Sequence, residues 1–279
     1  MPELPEAETI VRGLRGTVVG RTLEDAQVLH ADVLSVSPRA FRSSVRGRVI
    51  LGVERRGKSV LLRLSGGRVL VVKLGMTGRL LPELPDLAAP FTATHPAVRF
   101  RLRGGGALVF DDVRRFGSLE CLTDAEWLER SAALGPEPLS TDFTRARFRK
   151  GLTRSRAPIR SWLLDQKNVA GVGNIYANES LWRARVHPVR PANALGAREA
   201  GRLHGALQGV LGEAIEARGT TLRDYRTAEG EPGEFVARLA AYGREGFPCP
   251  RCRTAVQRVV FANRSAFFCP RCQPKGDEG

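Results

Sequence analysis

The first residues of the chain, Met1-Pro2-Glu3, put two chemically useful groups side by side. Removal of Met1 would leave Pro2 with a free secondary amine. An α-amino group titrates near pH ~7.7–8.0, so much of it is unprotonated and nucleophilic at neutral pH, whereas a lysine titrates near ~10.4. The carboxyl group of Glu3 is a proton donor within reach of the same centre. The pair therefore suggests covalent catalysis by an amine that attacks a sugar carbon. The alternative is an ordinary terminus, since proline commonly follows an initiator methionine.

A second group with chemical potential lies near the other end of the chain. Cys249, Cys252, Cys269 and Cys272 follow the pattern C-x2-C-x16-C-x2-C. This spacing is typical of a structural zinc site, which is closed because four thiolates leave no position for a substrate water. Two disulfides are the alternative, but the chain shows no signal peptide, and a short Gly- and Pro-punctuated unit gains stability from a metal. The pattern predicts one structural Zn²⁺.

The charge balance indicates the class of partner. The chain has 279 residues, and 44 Lys and Arg against 29 Asp and Glu give a net charge of +15. Such a balance favours a polyanion, with nucleic acid preferred and a ribosomal or anionic-membrane surface as the alternative. No stretch approaches the ~20 apolar residues that a membrane-spanning helix needs, so no membrane segment is expected.

The first half of the chain reads as one helix followed by short strands. Residues 6–14 carry apolar side chains at helical spacing behind acidic residues that suit a helix start. Short β-branched or Leu-rich runs follow, separated by glycine turns typical of hairpins. These runs cover 49–53, 60–64, 69–74, 98–102 and 108–111. The pattern predicts an antiparallel sandwich or barrel over 1–135.

The second half returns to helical spacing. Helices are expected over 158–166, 174–183 and 197–218, and the turn between the first two contains Gly171 and Gly173. A glycine turn that opens a helix presents free backbone N–H groups to an anion, and Asn174 could help to hold a phosphate. Simple helix punctuation is the alternative for the glycines. Residues 220–235 form a long polar stretch without periodicity, which is either functional or disordered.

Six stretches, taken together and in order, resemble the bacterial formamidopyrimidine-DNA glycosylase family. They are Met-Pro-Glu-Leu-Pro-Glu at 1–6, Arg-Gly-Lys at 56–58, Leu-Gly-Met-Thr-Gly at 74–78, Asp-Val-Arg-Arg-Phe-Gly at 112–117, Gly-Val-Gly-Asn-Ile-Tyr at 171–176, and the cysteine hairpin with Arg264. The resemblance implies an α+β fold with an N-terminal antiparallel β-sandwich and a helical helix-two-turn-helix domain that ends in a zinc-ribbon β-hairpin. The implied domains are a catalytic domain over 1–135, a DNA-binding domain over 136–235 and a zinc finger over 236–279.

The implied activity is that of a bifunctional DNA glycosylase and AP lyase of base excision repair. Its expected substrate is double-stranded DNA with oxidised purines, namely 8-oxoguanine and formamidopyrimidines. By this resemblance Pro2 would attack C1′ of the damaged nucleotide and Glu3 would protonate the sugar ring oxygen. Lys58 would donate a proton for β-elimination or contact the backbone, and Arg264 would serve δ-elimination. A monomer in the cytoplasm, associated with the nucleoid, is expected.

Further residues take their expected roles from the same resemblance. Met76, Arg114 and Phe116 match the residues that fill the space left by an everted base. Glu6 is expected to support the lesion pocket, with a helix first-turn charge as the alternative. Arg223 lies in the expected lesion-recognition loop, where several relatives carry lysine. The expected DNA contacts also include His95, Arg156, Lys167 and Asn174.

Two rival interpretations remain open at this stage. An endonuclease VIII-like glycosylase would use the same scaffold on oxidised pyrimidines, but Leu4, the Arg-Arg-Phe motif and the purine-type loop disfavour it. A non-catalytic zinc-ribbon protein that binds nucleic acid would explain the charge and the cysteines. It would leave Pro2, Glu3 and Lys58 without a role.

Overall fold

The chain forms two structural units, and the first of them is made of two separate segments. The computed structural model describes residues 2–85, 92–222, 225–228, 230–261 and 263–275. The first unit comprises Met1–Ala133 and Ala217–Glu234, and the second comprises Leu134–Glu216 and Phe235–Gly279. The segment 217–234 therefore packs with the N-terminal part of the chain, although it follows a helix of the second unit. The division into three functional domains remains a prediction.

Helix α1, Leu4–Val18, opens the first unit and buries one apolar face. Pro5 lies in its first turn, where a missing N–H is not needed, and the Glu6 carboxylate accepts a hydrogen bond from the backbone N–H of Glu3. These two features start the helix at Leu4, before the predicted 6–14. Ile10 and Leu14 belong to the core that lies beneath the helix.

Eight antiparallel strands make up the sheet of the first unit, in the order β5-β7-β6-β1-β2-β3-β4-β8. Their bounds are β1 Thr22–Val28, β2 Arg48–Arg56, β3 Ser59–Leu64, β4 Arg68–Lys73, β5 Arg79–Glu83, β6 Pro96–Leu102, β7 Ala107–Asp111 and β8 Ser118–Thr123. Helices α2, Pro38–Val45, and α3, Asp124–Ala132, complete this unit.

The sheet consists of two four-stranded halves that enclose one core. The halves meet at β1 and β2, which pair only through Thr22 with Val49 and Leu23 with Arg48. Side chains from both halves, from α1 and from α2 form a single buried apolar cluster. Two antiparallel layers around one core make a β-sandwich, so the predicted α+β fold with an N-terminal sandwich is confirmed.

The second unit is helical and ends in a hairpin. Its helices are α4 Arg145–Thr153, α5 Ile159–Leu164, α6 Asn174–Ala184 and α7 Ala197–Glu216, and its strands are β9 Gln257–Phe261 and β10 Arg264–Phe268. Between α5 and α6 the side chain of Gln166 donates to the carbonyls of Leu164 and Val172, and it accepts from the Gly171 N–H. This side chain holds the predicted two-turn connection closed.

No helix within the described part of the chain combines the length and the apolar character that crossing a bilayer requires.

Candidate active site

The N-terminal pair of the first unit is buried and held by one carboxylate. Pro2 is buried, and Glu3 is 1% exposed. One oxygen of Glu6 accepts from the Glu3 N–H at 2.8 Å, and the other accepts from the Thr220 N–H at 2.7 Å. Glu6 therefore fixes the N-terminal residues and the returning segment 217–234 together. Glu6 is 1% exposed and also forms the capping box of α1, so its first-turn role is present together with the bond to Thr220, and its place in a lesion pocket remains a prediction.

The returning segment forms a loop closed at its base. Thr220 bridges Glu234, and the Glu234 N–H donates to the Ala217 carbonyl at 2.8 Å. Tyr225 packs into the sandwich core, and its hydroxyl donates to the Arg218 carbonyl at 3.1 Å. The predicted contact residue Arg223 lies outside the described residues. The described parts of this loop are anchored to the unit that carries Pro2.

Lys58 lies in the two-residue turn between β2 and β3. Gly57, which precedes it, has φ +58°, a left-handed conformation that hairpin turns of this length need. Arg55 donates to the Gly57 carbonyl at 2.9 Å and to the Glu8 carboxylate at 3.1 Å. Since Glu8 belongs to α1, Arg55 ties the turn that carries Lys58 to the helix that follows Pro2 and Glu3.

Three predicted side chains meet on two neighbouring loops of the same unit. The Arg114 guanidinium lies 4.5 Å from the Phe116 ring centroid, and its Nη1 donates to the Met76 sulfur at 3.3 Å. Phe116 is 60% exposed and Met76 39% exposed, although both are large apolar residues. An exposed apolar cluster with a cation at its centre marks a binding surface, and it suits insertion into a base stack.

Buried Asp112 holds these two loops in place. Its carboxylate accepts from the Thr77 hydroxyl, from the Arg114 N–H at 3.3 Å and from the Gly117 N–H at 2.8 Å. Thr77 adjoins Met76, while Arg114 and Gly117 flank Phe116. One carboxylate therefore fixes both sources of the exposed cluster.

Asp111, which precedes Asp112, holds the predicted DNA contact His95. Asp111 is fully buried and accepts from the backbone N–H of His95, whose carbonyl accepts from the Asp112 N–H at 3.0 Å. His95 itself is exposed. The backbone of this predicted DNA contact is thus fixed, while its ring faces solvent.

The predicted anion contacts of the second unit lie on the two-turn connection and on the hairpin. Lys167 is exposed in the turn, and Asn174 is the first residue of α6, where the helix dipole favours an anion. Arg264 is exposed at the start of β10. The Asn174 amide donates to the Ser265 carbonyl at 3.3 Å, so the helix start contacts the residue after Arg264. Arg156 is exposed before α5.

The four predicted zinc ligands converge. The sulfur atoms of Cys249, Cys252, Cys269 and Cys272 all lie within 4.8 Å of one another. Thiolates at ~2.3 Å around a tetrahedral zinc ion have separations of that order, and four of them close the coordination sphere. Trp182 of α6 donates its indole N–H to the Cys249 sulfur at 3.4 Å. The donor set fits one structural zinc ion, as predicted.

Comparisons with known proteins agree with this geometry. Residues 1–119 match the model of the formamidopyrimidine-DNA glycosylase N-terminal domain, 134–226 that of the formamidopyrimidine-DNA glycosylase H2TH domain, and 246–275 that of a zinc finger found in FPG and IleRS. A formamidopyrimidine-DNA glycosylase of Thermus thermophilus is 47% identical over 99% of this chain and 100% of its own. The chain belongs to the formamidopyrimidine-DNA glycosylase family.

Solved structures of the family superimpose on nearly the whole chain. The MutM (Fpg) protein from Thermus thermophilus is 45% identical, with a TM-score of 0.88 over 99% of this chain and 100% of that one. A Lactococcus lactis Fpg mutant in complex with DNA that contains Fapy-dG is 32% identical, with a TM-score of 0.90 over 98% and 100%. The wild-type Lactococcus lactis protein, in complex with DNA that contains an oxidised pyrimidine, has the same identity and coverage and a TM-score of 0.89.

Several residues of this glycosylase-family chain support the predicted contacts but carried no signal of their own in the sequence. They are Arg55, Asp112 and Arg160, and buried Glu179 holds the segment that precedes the zinc ligands. Asp112 lies inside a recognised motif, and its position there is the one available hint. Glu179 accepts backbone N–H groups of Ala240, Ala241 and Tyr242 at 2.7–2.9 Å, and burial raises the pKa of its carboxyl group against these hydrogen bonds.

Proposed function

We propose that this chain is a bifunctional DNA glycosylase and AP lyase of base excision repair that removes oxidised purines from double-stranded DNA. The observation that carries the proposal is the buried Pro2-Glu3 pair, fixed by Glu6 together with a loop that is anchored to the same unit. A buried nucleophile and acid suit chemistry on a nucleotide that has been turned out of the duplex. Membership of the family, whose solved members include complexes with damaged DNA, supports the same function.

The reaction begins with the terminal amine. The Pro2 nitrogen attacks C1′, the bond between C1′ and the base breaks, and the base leaves with that electron pair and takes a proton. Glu3 protonates the sugar ring oxygen as the ring opens, which leaves a C1′ iminium on Pro2. Because a secondary amine forms a permanently cationic iminium, the C2′ proton becomes acidic.

Strand cleavage follows from that acidity. Loss of the C2′ proton expels the 3′ phosphate, and a second elimination expels the 5′ phosphate. Lys58, on a turn tied to α1, donates a proton in the first elimination or contacts the DNA backbone there. Arg264, at the start of β10, acts in the second elimination. A cation near a leaving phosphate stabilises the charge that develops on it.

The exposed cluster of Met76, Arg114 and Phe116 serves base eversion. Turning a nucleotide out of the stack costs a few kcal/mol, and apolar side chains that enter the gap offset part of that cost. Arg114 offers donors that complement the acceptors of an unpaired cytosine. Its contacts with Met76 and Phe116 keep the guanidinium beside the wedge.

The remaining cations supply affinity. His95, Arg156, Lys167 and Asn174 contact the phosphate backbone, and the zinc ion stiffens the hairpin that carries Arg264. Arg223 contacts the everted lesion from the loop. The chain acts as a monomer and works in the cytoplasm at the nucleoid, where its DNA substrate lies.

Trapping with borohydride tests the covalent step. Borohydride reduces an iminium to a stable amine, so incubation with a duplex that contains 8-oxoguanine opposite cytosine should yield a protein–DNA adduct. A Pro2→Gly variant should bind the duplex but lose most of the adduct. An adduct as strong as that of the wild type would contradict Pro2 as the nucleophile. Absence of any adduct with the wild type would favour a non-catalytic zinc-ribbon protein.

Substrate class is tested by comparing lesions. The family includes a protein solved with an oxidised pyrimidine in its DNA, so pyrimidine excision is the specific competing function. We expect excision of 8-oxoguanine opposite cytosine to exceed that of thymine glycol. The reverse order would assign the chain an endonuclease VIII-like preference.

A further inference from the structure

Arg160 of α5 is a buried cation in the second unit. The whole residue is 0% exposed, and it is the largest fully buried side chain among the described residues. Arginine is almost never fully buried unless an acid pairs with it. The burial of Arg160 is therefore unusual, and neither the sandwich nor the zinc site accounts for it.

The side-chain hydrogen bonds of Arg160 lead to a predicted phosphate-binding residue and to the neighbour of another. Its Nη2 donates to the Asn174 side-chain oxygen at 2.6 Å and to the Ser265 carbonyl at 2.8 Å. Its guanidinium carbon lies 4.9 Å from the Phe261 ring centroid. Phe261 ends β9 and Ser265 follows Arg264 in β10, so Arg160 holds both strands at the hairpin tip that carries Arg264.

The charge of Arg160 has no anionic partner within the described part of the chain. Its Nε and Nη1 are buried without an acceptor there, and both hydrogen-bond acceptors of Nη2 are neutral. Arg264 lies close enough to repel it, and burial together with that repulsion lowers the pKa of Arg160 to about 10. The guanidinium is still charged at neutral pH, so the full cost of the unpaired charge is present there.

We propose that Arg160 is a positioning residue whose buried charge is balanced only when a DNA phosphate binds to Asn174 and Arg264. This inference rests on the proposed function, because it takes the DNA backbone as the ligand. The phosphate supplies the missing negative charge to two neighbouring arginines at once. Arg160 in turn orients the Asn174 side chain and the hairpin tip before the phosphate arrives, which lowers the ordering cost of binding.

A consequence distinguishes this role from a purely structural one. Removal of Arg160 leaves neither acceptor unpaired, because the Asn174 oxygen also accepts from Asn178 at 3.1 Å and the Ser265 carbonyl also accepts from Asn174 at 3.3 Å. Replacing a buried charge with an apolar side chain of similar length is often neutral or stabilising. Arg160 should therefore oppose folding of the free protein and favour DNA binding.

The test compares Arg160→Met with the wild type. Three quantities are measured: the melting temperature of the free zinc-loaded protein, the Kd for a duplex that contains a tetrahydrofuran abasic analogue, and the rise in melting temperature on adding that duplex. We expect an equal or higher melting temperature without DNA, a Kd weaker by about ten-fold or more, and a smaller rise with DNA. A lower melting temperature of the free variant overturns the proposal, as does an unchanged Kd.

Two further variants complete the test. Arg183 of α6 is the matched control, because it is paired with Glu213 at 2.8 Å, and Arg183→Met should leave the Kd unchanged. A Kd that weakens as much in this control overturns the specific role of Arg160. Arg160→Lys keeps the charge without the planar fork and should bind the duplex more tightly than Arg160→Met. Equal Kd values for Arg160→Lys and Arg160→Met would show that the charge at this position does not contribute to DNA affinity.

Failure of the inference is distinguishable from failure of the proposed function. A wild-type protein that neither binds the abasic duplex nor forms a borohydride adduct contradicts the function. A wild-type protein that does both, with an Arg160→Met variant that binds equally well, contradicts only the role of Arg160.

Discussion

Buried carboxylates at single positions organise much of the candidate site. Glu6, Asp112 and Glu179 are each almost fully buried, and each accepts backbone N–H groups through both of its oxygens. A carboxylate that accepts several hydrogen bonds offsets the cost of its burial and fixes the donors. Glu6 and Asp112 each hold a loop or terminus that carries predicted contact residues, and Glu179 holds the segment 240–242 that precedes the zinc ligands.

Replacement of Asp112 should affect both loops that carry the exposed cluster of Met76, Arg114 and Phe116. Asp112→Asn keeps the shape of the side chain but turns one acceptor into a donor that faces Thr77 and Arg114 or Gly117. We expect a loss of about 1–3 kcal/mol in the free energy of unfolding, the cost of unsatisfied buried groups. Excision of 8-oxoguanine from a duplex should fall more than cleavage at a preformed abasic site, because only the former requires base eversion by the enzyme.

Chemical denaturation and single-turnover kinetics measure the two effects. Glu24→Gln is the control, because Glu24 is 52% exposed and its ion pair with Arg101 contributes little. It should change neither quantity. Equal losses on the duplex lesion and the abasic site would show that Asp112 supports the sandwich in general and not the exposed cluster.

The loop that carries Met76 and the loop that carries Phe116 approach each other closely at Gly75. Gly75 has φ +60°, and a Cβ there would lie 2.4 Å from the Phe116 carbonyl carbon. Gly47 has φ +75° but open space around its Cβ position. Gly47→Ala should lose only the cost of a left-handed alanine, about 1–2 kcal/mol. Gly75→Ala should lose more and should also displace the Phe116 loop.

Thermal unfolding and excision assays compare the two glycine variants. The ratio of duplex excision to abasic-site cleavage should fall in Gly75→Ala and stay at the wild-type value in Gly47→Ala. Equal behaviour of the two variants would mean that the loop accommodates the extra methyl group by shifting freely.

The zinc hairpin provides a third prediction. Because the cysteines hold β9 and β10 through one metal ion, Cys269→Ser or chelation should release the tip that carries Arg264. DNA affinity should fall by at least about ten-fold, which corresponds to ~1.4 kcal/mol. Circular dichroism should still report the folded sandwich, since no cysteine of the set belongs to the first unit. DNA binding that survives complete metal removal would contradict this role.

The predictable elements are those whose signal is local. Strands β2, β3, β4, β6 and β7 and helices α5, α6 and α7 carry apolar periodicity within themselves, and the sequence located all of them to within a few residues. Strands β1, β5 and β8 were not predicted, because polar residues, a proline or a cysteine interrupt their apolar pattern. Helix α2 buries only Phe41 and Val45, which is too few for a periodic signal.

The same distinction applies to the site. Pro2 and the four cysteines are identifiable because their chemical type or spacing is itself unusual. Arg160 and Glu179 are not, because their roles depend on partners far along the chain, such as Ser265, 105 residues from Arg160. From the sequence alone, an arginine in a short helix is expected to be exposed to solvent. Arg160 is buried because the fold packs the hairpin against it.

The net charge of the protein predicts how its affinity for DNA depends on salt concentration. A net charge of +15 and several exposed cations on loops favour binding through phosphate contacts. The logarithm of the association constant should fall linearly with the logarithm of salt concentration, with a slope of about −0.9 per phosphate neutralised. Fluorescence anisotropy with an undamaged duplex measures it. A nearly flat line would remove phosphate contacts as the main source of affinity.

The bond between Thr220 and Glu6 joins residues 214 positions apart. Ribosomes deliver the N-terminal helix long before they deliver its distant partner, and domains ordinarily fold as they emerge. The eight strands of the sandwich are complete by Thr123, but the bond from Thr220 to Glu6 and the packing of the segment 217–234 can form only after translation has passed Glu234. In a series of stalled chains, protection of the Glu3 amide from hydrogen exchange should therefore begin only once residue 234 has emerged, whereas repair should begin later, when the zinc hairpin with Arg264 is also complete.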